Sequence, residues 1–317
     1  MAFDYLYSDL PMANGSGIRT PFGTFVLPPG ARIAAFVRSG LDASGDDVFL
    51  AENLCPTLSA ALGRVRAGRG DTVIVLPGHS ESVVDALMLT NLVAGTKIIG
   101  VGRGSNMPVF RWTATGSQWP ITVADVQISG LRLRLEGANG VVKAIVCTAA
   151  DCLISGCDIE TSSGAANLAT IAVEFGAGAH RCEFIQNQVR GVAAGVCTDI
   201  VKVVGTPDLL RITDNEMFAA ATSATGLIHV TTVATNLRIM RNIIANLTAA
   251  SIAAIGIDNV AATGMVSDCY VSVLATGAHT SNTSGIAMGA AALLRAFQCF
   301  SSNDARASGL LQPAVDT

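Results

Sequence analysis

One short phrase recurs seven times between Ile128 and Ser301, and no other feature restricts the fold of this chain as strongly. Each copy has an apolar residue, two small or polar residues, a pivot, a variable residue and usually another apolar residue. The copies are Ile128-Ser-Gly-Leu131-Arg-Leu133, Ile154-Ser-Gly-Cys157-Asp-Ile159, Phe184-Ile-Gln-Asn187-Gln-Val189, Ile212-Thr-Asp-Asn215-Glu-Met217, Ile239-Met-Arg-Asn242-Ile-Ile244, Val266-Ser-Asp-Cys269-Tyr-Val271 and, more loosely, Ala296-Phe-Gln-Cys299-Phe-Ser301. Successive pivots are separated by 26, 30, 28, 27, 27 and 30 residues. A period of this size marks a solenoid, in which each repeat buries its apolar side only against its neighbours.

The alternation inside each phrase selects the type of solenoid. In Leu131-Arg-Leu133-Arg-Leu135 every second residue is apolar, the period of a strand with one buried face. A second strand signal precedes each pivot from the second onward: Val142 to Val146, Ile171 to Val173, Ile200 to Val204, Leu227 to Val230, Ile255 to Ile257 and Ile286 to Met288. Two strands at a nearly fixed offset per coil predict an all-β chain, a right-handed parallel β-helix solenoid. Seven coils stacked about 4.8 Å apart form a rod of about 35 Å.

In such a stack equivalent side chains stand above one another. The pivots Leu131, Cys157, Asn187, Asn215, Asn242, Cys269 and Cys299 are therefore expected to form one structural ladder. The three asparagine amides would donate and accept along it, and the cysteines would fill the same slot as small apolar residues. Because these residues recur once per coil, they are spread along the axis, and a metal or catalytic cluster is not expected among them.

Bulk properties narrow the function. Charged residues are 14% of the chain and aromatic residues 5%, so the surface is poor in charge and prone to association. With 17 Arg, three Lys (Lys97, Lys143, Lys202) and a net charge of -4, no basic footprint for nucleic acid is present. The eight cysteines have no CxxC spacing and read as free buried thiols of a protein assembled in a reducing cytoplasm. The N-terminus lacks the pattern of a secretory signal, and no stretch has the length of a membrane span.

Three segments are expected: a docking arm over residues 1–32, a β-helix over 33–305 and a tail over 306–317. The arm contains Phe3, Tyr5, Tyr7, Phe22 and Phe25 and four of the ten prolines, a composition suited to ordering on a partner's surface. Ile33 to Arg38 then reads as a strand, Leu41 to Asp47 as a polar loop, and Thr57 to Arg66 as an amphipathic helix after Pro56. That helix would cap the open first coil. Gly70-Asp-Thr-Val-Ile-Val-Leu-Pro-Gly78 follows as a buried strand. This order resembles the N-terminal lead-in of pectin-lyase-like right-handed β-helix proteins, over about residues 33 to 305. Members of that superfamily often continue Pro-Gly with Thr-Tyr, whereas this chain has His79-Ser80-Glu81.

Enzymes of that superfamily use clustered carboxylates, for Ca²⁺-assisted elimination or as an acid and nucleophile pair. Here Asp125 and Asp151 occupy one equivalent position, Asp214 and Asp268 another with Arg241 between them, and Asp158 and Glu216 are separated by Gln188. No group of three acids emerges, and Asp214-Arg241-Asp268 reads as a salt-bridge ladder. His79 reads as part of a surface loop, and Arg103 as a coil corner. His180, His229 and His279 read as isolated, and Trp112 and Trp119 as core or interface residues. No catalytic residue, metal or cofactor is expected.

The resemblance, the arm and the missing acids imply a non-enzymatic structural protein of a bacteriophage virion. Its expected form is a homotrimeric capsid decoration or head fibre, assembled in the host cytoplasm and bound to the major capsid protein or another virion protein. Two alternatives stay open: a tailspike or tail-fibre protein that binds or depolymerises surface glycan, and a stand-alone polysaccharide lyase or glycoside hydrolase.

Overall fold

The computed structural model describes residues 17–20, 23–26, 32–39, 54–135, 140–166, 168–221, 226–248, 253–259, 261–273, 285–288 and 293–301. They form a parallel β-solenoid of about 7 turns with three sheets along its length. The upstream strands, such as Val141–Cys147 and Ala169–Phe175, make a seven-stranded sheet. The first half of each repeated phrase lies in an eleven-stranded sheet and the second half in a ten-stranded sheet, with the pivot at the corner between them. Coil-to-coil pairing within the sheets is parallel and in register, as in Ile128↔Ile154, Ile154↔Phe184, Phe184↔Ile212 and Ile212↔Ile239. These inward residues are fully or almost fully buried, and burying each contributes about 2 kcal/mol before the cost of ordering the chain.

The first coil is closed by a helix shorter than the sequence suggests. α1 covers only Leu58–Leu62, where Thr57 accepts a hydrogen bond from the Ala60 amide and Gly63 ends the helix. Its Leu58, Ala61 and Leu62 are buried in the core. In the same core, Phe110 packs edge-on against Trp119 and Trp112 lies tilted against Trp119, with centroids 5.0 and 5.1 Å apart. Both tryptophans are fully buried, which makes them core residues and removes them from any sugar-stacking role. Within the arm, Gly17–Thr20 and Gly23–Val26 pair as an antiparallel hairpin that includes Phe25. Phe3, Tyr5, Tyr7, Phe22 and the tail at 306–317 lie outside the described residues.

Each repeated corner is made by a left-handed residue immediately before the pivot. The series is Gly130, Gly156, Gln186, Asp214, Arg241, Asp268 and Gln298, with φ between 50° and 68°. Glycine adopts this conformation freely, whereas a residue with a Cβ is strained by about 1 kcal/mol. Gln186 is exposed. Gln186→Gly is expected to raise stability by about 0.5 kcal/mol after glycine's own entropic cost, measured by urea unfolding. A destabilised variant would refute strain at this corner.

Candidate functional site

The pivots stack as one buried column. Asn187, Asn215 and Asn242 are each at most 2% exposed. The Asn215 Oδ1 accepts from the Asn187 backbone N–H at 2.9 Å and from Asn187 Nδ2 at 3.2 Å, and Asn242 Oδ1 does the same for Asn215 at 3.0 and 3.0 Å. Each Nδ2 also donates to the carbonyl three residues before the preceding pivot: Ile154, Phe184 and Ile212 at 3.0, 2.8 and 2.8 Å. Cys157 begins the chain of bonds, its N–H donating to Asn187 Oδ1 at 3.0 Å, and Cys269 ends it, its sulfur 3.9 Å from Asn242 Nδ2. Leu131 and Cys299 fill the same slot without a side-chain amide and are fully buried. With its polar atoms turned toward one another, this column presents no reactive group to solvent.

One column of polar groups lies on the outer face of the seven-stranded sheet. Here the strands bend so that two consecutive residues face inward: Ala144 and Ile145, Ala172 and Val173, Ile200 and Val201, Leu227 and Ile228. The bend inverts the parity of side chains on either side of it, so residues three apart share the outer face. Lys202 Nζ therefore reaches Asp199 Oδ2 at 3.3 Å, and Lys143 Nζ donates to Glu174 Oε1 of the next coil at 2.8 Å.

His229 lies in this column, contrary to its expected isolation. Its Nδ1 is 2.7 Å from Asp199 Oδ1 and its Nε2 is 2.8 Å from Asp258 Oδ2, the two carboxylates belonging to the coils before and after. A ring with a carboxylate at each nitrogen is satisfied as an imidazolium, and it has no free lone pair to serve as a general base. Burial opposes the charged ring, but Asp199 and Asp258 outweigh it and lift the pKa above the ordinary 6.5. A pKa raised on folding adds stability that is fully present below about pH 6.5 and is lost as pH rises through the folded value. Unfolding measured from roughly pH 6 to 9 should show that decline, and His229→Gln should flatten it. An undiminished slope in the variant would assign the effect to another group.

The outer face of the ten-stranded sheet changes character along the rod. Its first half is a lattice of charged and polar groups: Arg132 bonds Asp158 at 3.0 and 3.1 Å, Arg134 bonds Glu160 at 2.6 Å, Gln188 bonds Glu216 at 2.9 Å, and exposed Arg111 stands in register with Arg134. In the same column the register continues Glu216↔Ile243, Ile243↔Tyr270 and Tyr270↔Phe300. Ile243, Tyr270 and Phe300 are 45%, 57% and 39% exposed, so here the face is uncovered and apolar. The Tyr270 and Phe300 rings stack at 5.2 Å, and exposed Phe218 stands one column away.

The remaining candidates are resolved by their contacts. His79 is buried, not on a surface loop, and its Nε2 lies 3.0 Å from Glu81 Oε2. The same carboxylate oxygen accepts from the Leu58 N–H at 2.8 Å, so His79 and Glu81 fasten the start of α1. Ser80 is exposed, and its backbone N–H donates to Ser39 Oγ. Asp214 pairs with Arg241 through two bonds of 2.7 and 2.6 Å, and this partner holds the Asp214 carboxyl below its usual range. Asp151 is bound in the same way by Arg181 at 2.6 and 2.7 Å. His180 accepts the Asp208 N–H at its Nδ1. His279 lies outside the described residues. No helix among the described residues is long and apolar enough to cross a membrane.

No family model, curated protein or solved structure matches the chain. The parallel β-helix is compatible in architecture with the pectin-lyase-like superfamily.

Proposed function

We propose that this chain is a non-enzymatic structural protein of a bacteriophage virion, a β-helical rod that assembles with two further copies of itself and docks on the particle through its N-terminal arm. The observation that carries the reading is the outer face of the ten-stranded sheet, where Phe218, Ile243, Tyr270 and Phe300 stand uncovered beyond a run of charged and polar residues. A contiguous apolar patch of this kind is the mark of an interface. A second copy of the chain suits it because the charged half is close to balanced, with four arginines, Arg111, Arg132, Arg134 and Arg190, against three carboxylates, Asp158, Glu160 and Glu216. Copies packed side by side in parallel about a threefold axis bring like columns together with a single net positive charge per copy, and closed symmetry covers the patch.

The satisfied asparagine column and the pairing of His229, Asp214 and Asp151 support a scaffold in preference to a catalyst. The native mass tests the assembly. The wild-type chain should be a trimer, Tyr270→Arg should give monomers with an unchanged β-sheet spectrum, and a monomeric wild type would overturn the reading. Incubation with anionic polysaccharides should yield neither unsaturated products nor new reducing ends. Their appearance would move the chain to the depolymerase class. Removing residues 1 to 30 should abolish attachment to the particle while leaving the rod folded.

A further inference from the structure

Three of the cysteines converge where the seven-stranded sheet turns into the eleven-stranded sheet. Cys147 ends its strand in the inward column Ile121, Cys147, Phe175, Val203. Cys152 and Cys182 precede the strands Leu153–Ser155 and Glu183–Ile185 of successive coils, at a position held by Val126 and Leu210 in the coils on either side. Two columns that elsewhere carry hydrocarbon thus become sulfur at one level. The three Sγ atoms lie within 4.8 Å of one another, with Cys147 and Cys182 at 3.8 Å. Three sulfurs at about 2.3 Å around one metal in a trigonal plane are about 4.0 Å apart. The thiols are therefore close to ligand positions before any ion arrives.

We propose that Cys147, Cys152 and Cys182 form a three-thiolate site for one soft, thiophilic metal cation. No carboxylate or imidazole belongs to this cluster, which disfavours hard ions such as Mg²⁺ and Ca²⁺ and selects a cation that prefers sulfur. The sulfurs are held by the turn between the sheets: the Ala149 carbonyl accepts from Cys147 at 3.4 Å and from Cys182 at 3.2 Å, and the Ala150 carbonyl accepts from Cys152 at 3.4 Å. Thr148 and Asp151 of that turn are exposed, so the way in is a short displacement of one corner. On binding, each thiol releases its proton to solvent as its sulfur bonds the metal. A divalent ion then leaves the site with one net negative charge, and strong metal–thiolate bonds offset the burial of that charge. The bound ion would tie two coils together at a corner now held by hydrogen bonds and core packing.

Cadmium added to the reduced full-length chain without oxygen provides the test. A sulfur-to-cadmium charge-transfer band should saturate at one ion per chain, with a rise in melting temperature. Cys147→Ala, Cys152→Ala and Cys182→Ala should each lower affinity by more than about 100-fold, beyond what loss of a supporting neighbour costs. Cys197→Ala, remote from the cluster, should bind as the wild type does. X-ray absorption of the wild-type complex needs no folded variant and should show three sulfur neighbours only. A wild type without a saturable band, a shell containing oxygen or nitrogen, or an unchanged band in the triple alanine variant would overturn the site.

Discussion

Asn215→Ala is expected to remove about 3 kcal/mol or more of folding stability, the largest loss from any single side chain of the pivot column. The substitution leaves two buried donors on Asn187 without their acceptor and takes the amide donor from the Phe184 carbonyl, while Asn242 Oδ1 loses one of its two donors and keeps the residue 215 backbone N–H. Each group stranded away from water costs about 1–3 kcal/mol, and the rigid coil offers no room for water to replace the amide. Asn215→Asp keeps the acceptor oxygen but loses the donor and buries a charge, so it should be no milder. Asn215→Cys should fall between wild type and alanine, because Cys269 already fills an equivalent slot beside Asn242. Urea unfolding distinguishes these outcomes. A loss below about 1 kcal/mol for the alanine variant would mean that the column follows from the stack and does not hold it together.

The parts of this architecture that were legible in the sequence are those that repeat. Pivots returning every 26 to 30 residues, with alternation on their far side, revealed the coils, the strand pairs and the placement of Asn187, Asn215 and Asn242. The left-handed corner was only half visible, since Gly130, Gly156 and two aspartates suit it while Gln186, Arg241 and Gln298 do not. The outer polar column was hidden by the strand bend: two consecutive inward residues break the alternation, and period-two reasoning then assigns Asp199 and Lys202 to opposite faces. One signal was available for His229. Asp199 precedes it by 30 residues and Asp258 follows it by 29, each about one coil length. Reading His79 as part of a surface loop overlooks that residues two apart in extended chain share a side, which is how His79 meets Glu81.

The bend also fixes the second large effect, at Lys143 and Glu174. Glu174 points outward yet its side chain is 7% exposed, whereas Lys143 is 38% exposed. Lys143→Met strands a nearly buried carboxylate and should cost about 2 kcal/mol, less than a wholly buried pair because water already reaches the ammonium. Glu174→Met leaves only a half-exposed ammonium, which water can solvate, and should cost about 1 kcal/mol or less. The double variant should lie closer to wild type than the sum of the two, because no unpaired charge remains; a double-mutant cycle by urea unfolding measures this coupling. Additive losses would show that the two charges act independently. A positive coupling gives the ion pair a role that apolar packing lacks. Where paired strands are otherwise interchangeable runs of Val, Ile and Ala, Lys143 meets its carboxylate only when adjacent coils stand in one register, so the pair opposes a slip that the core alone would tolerate.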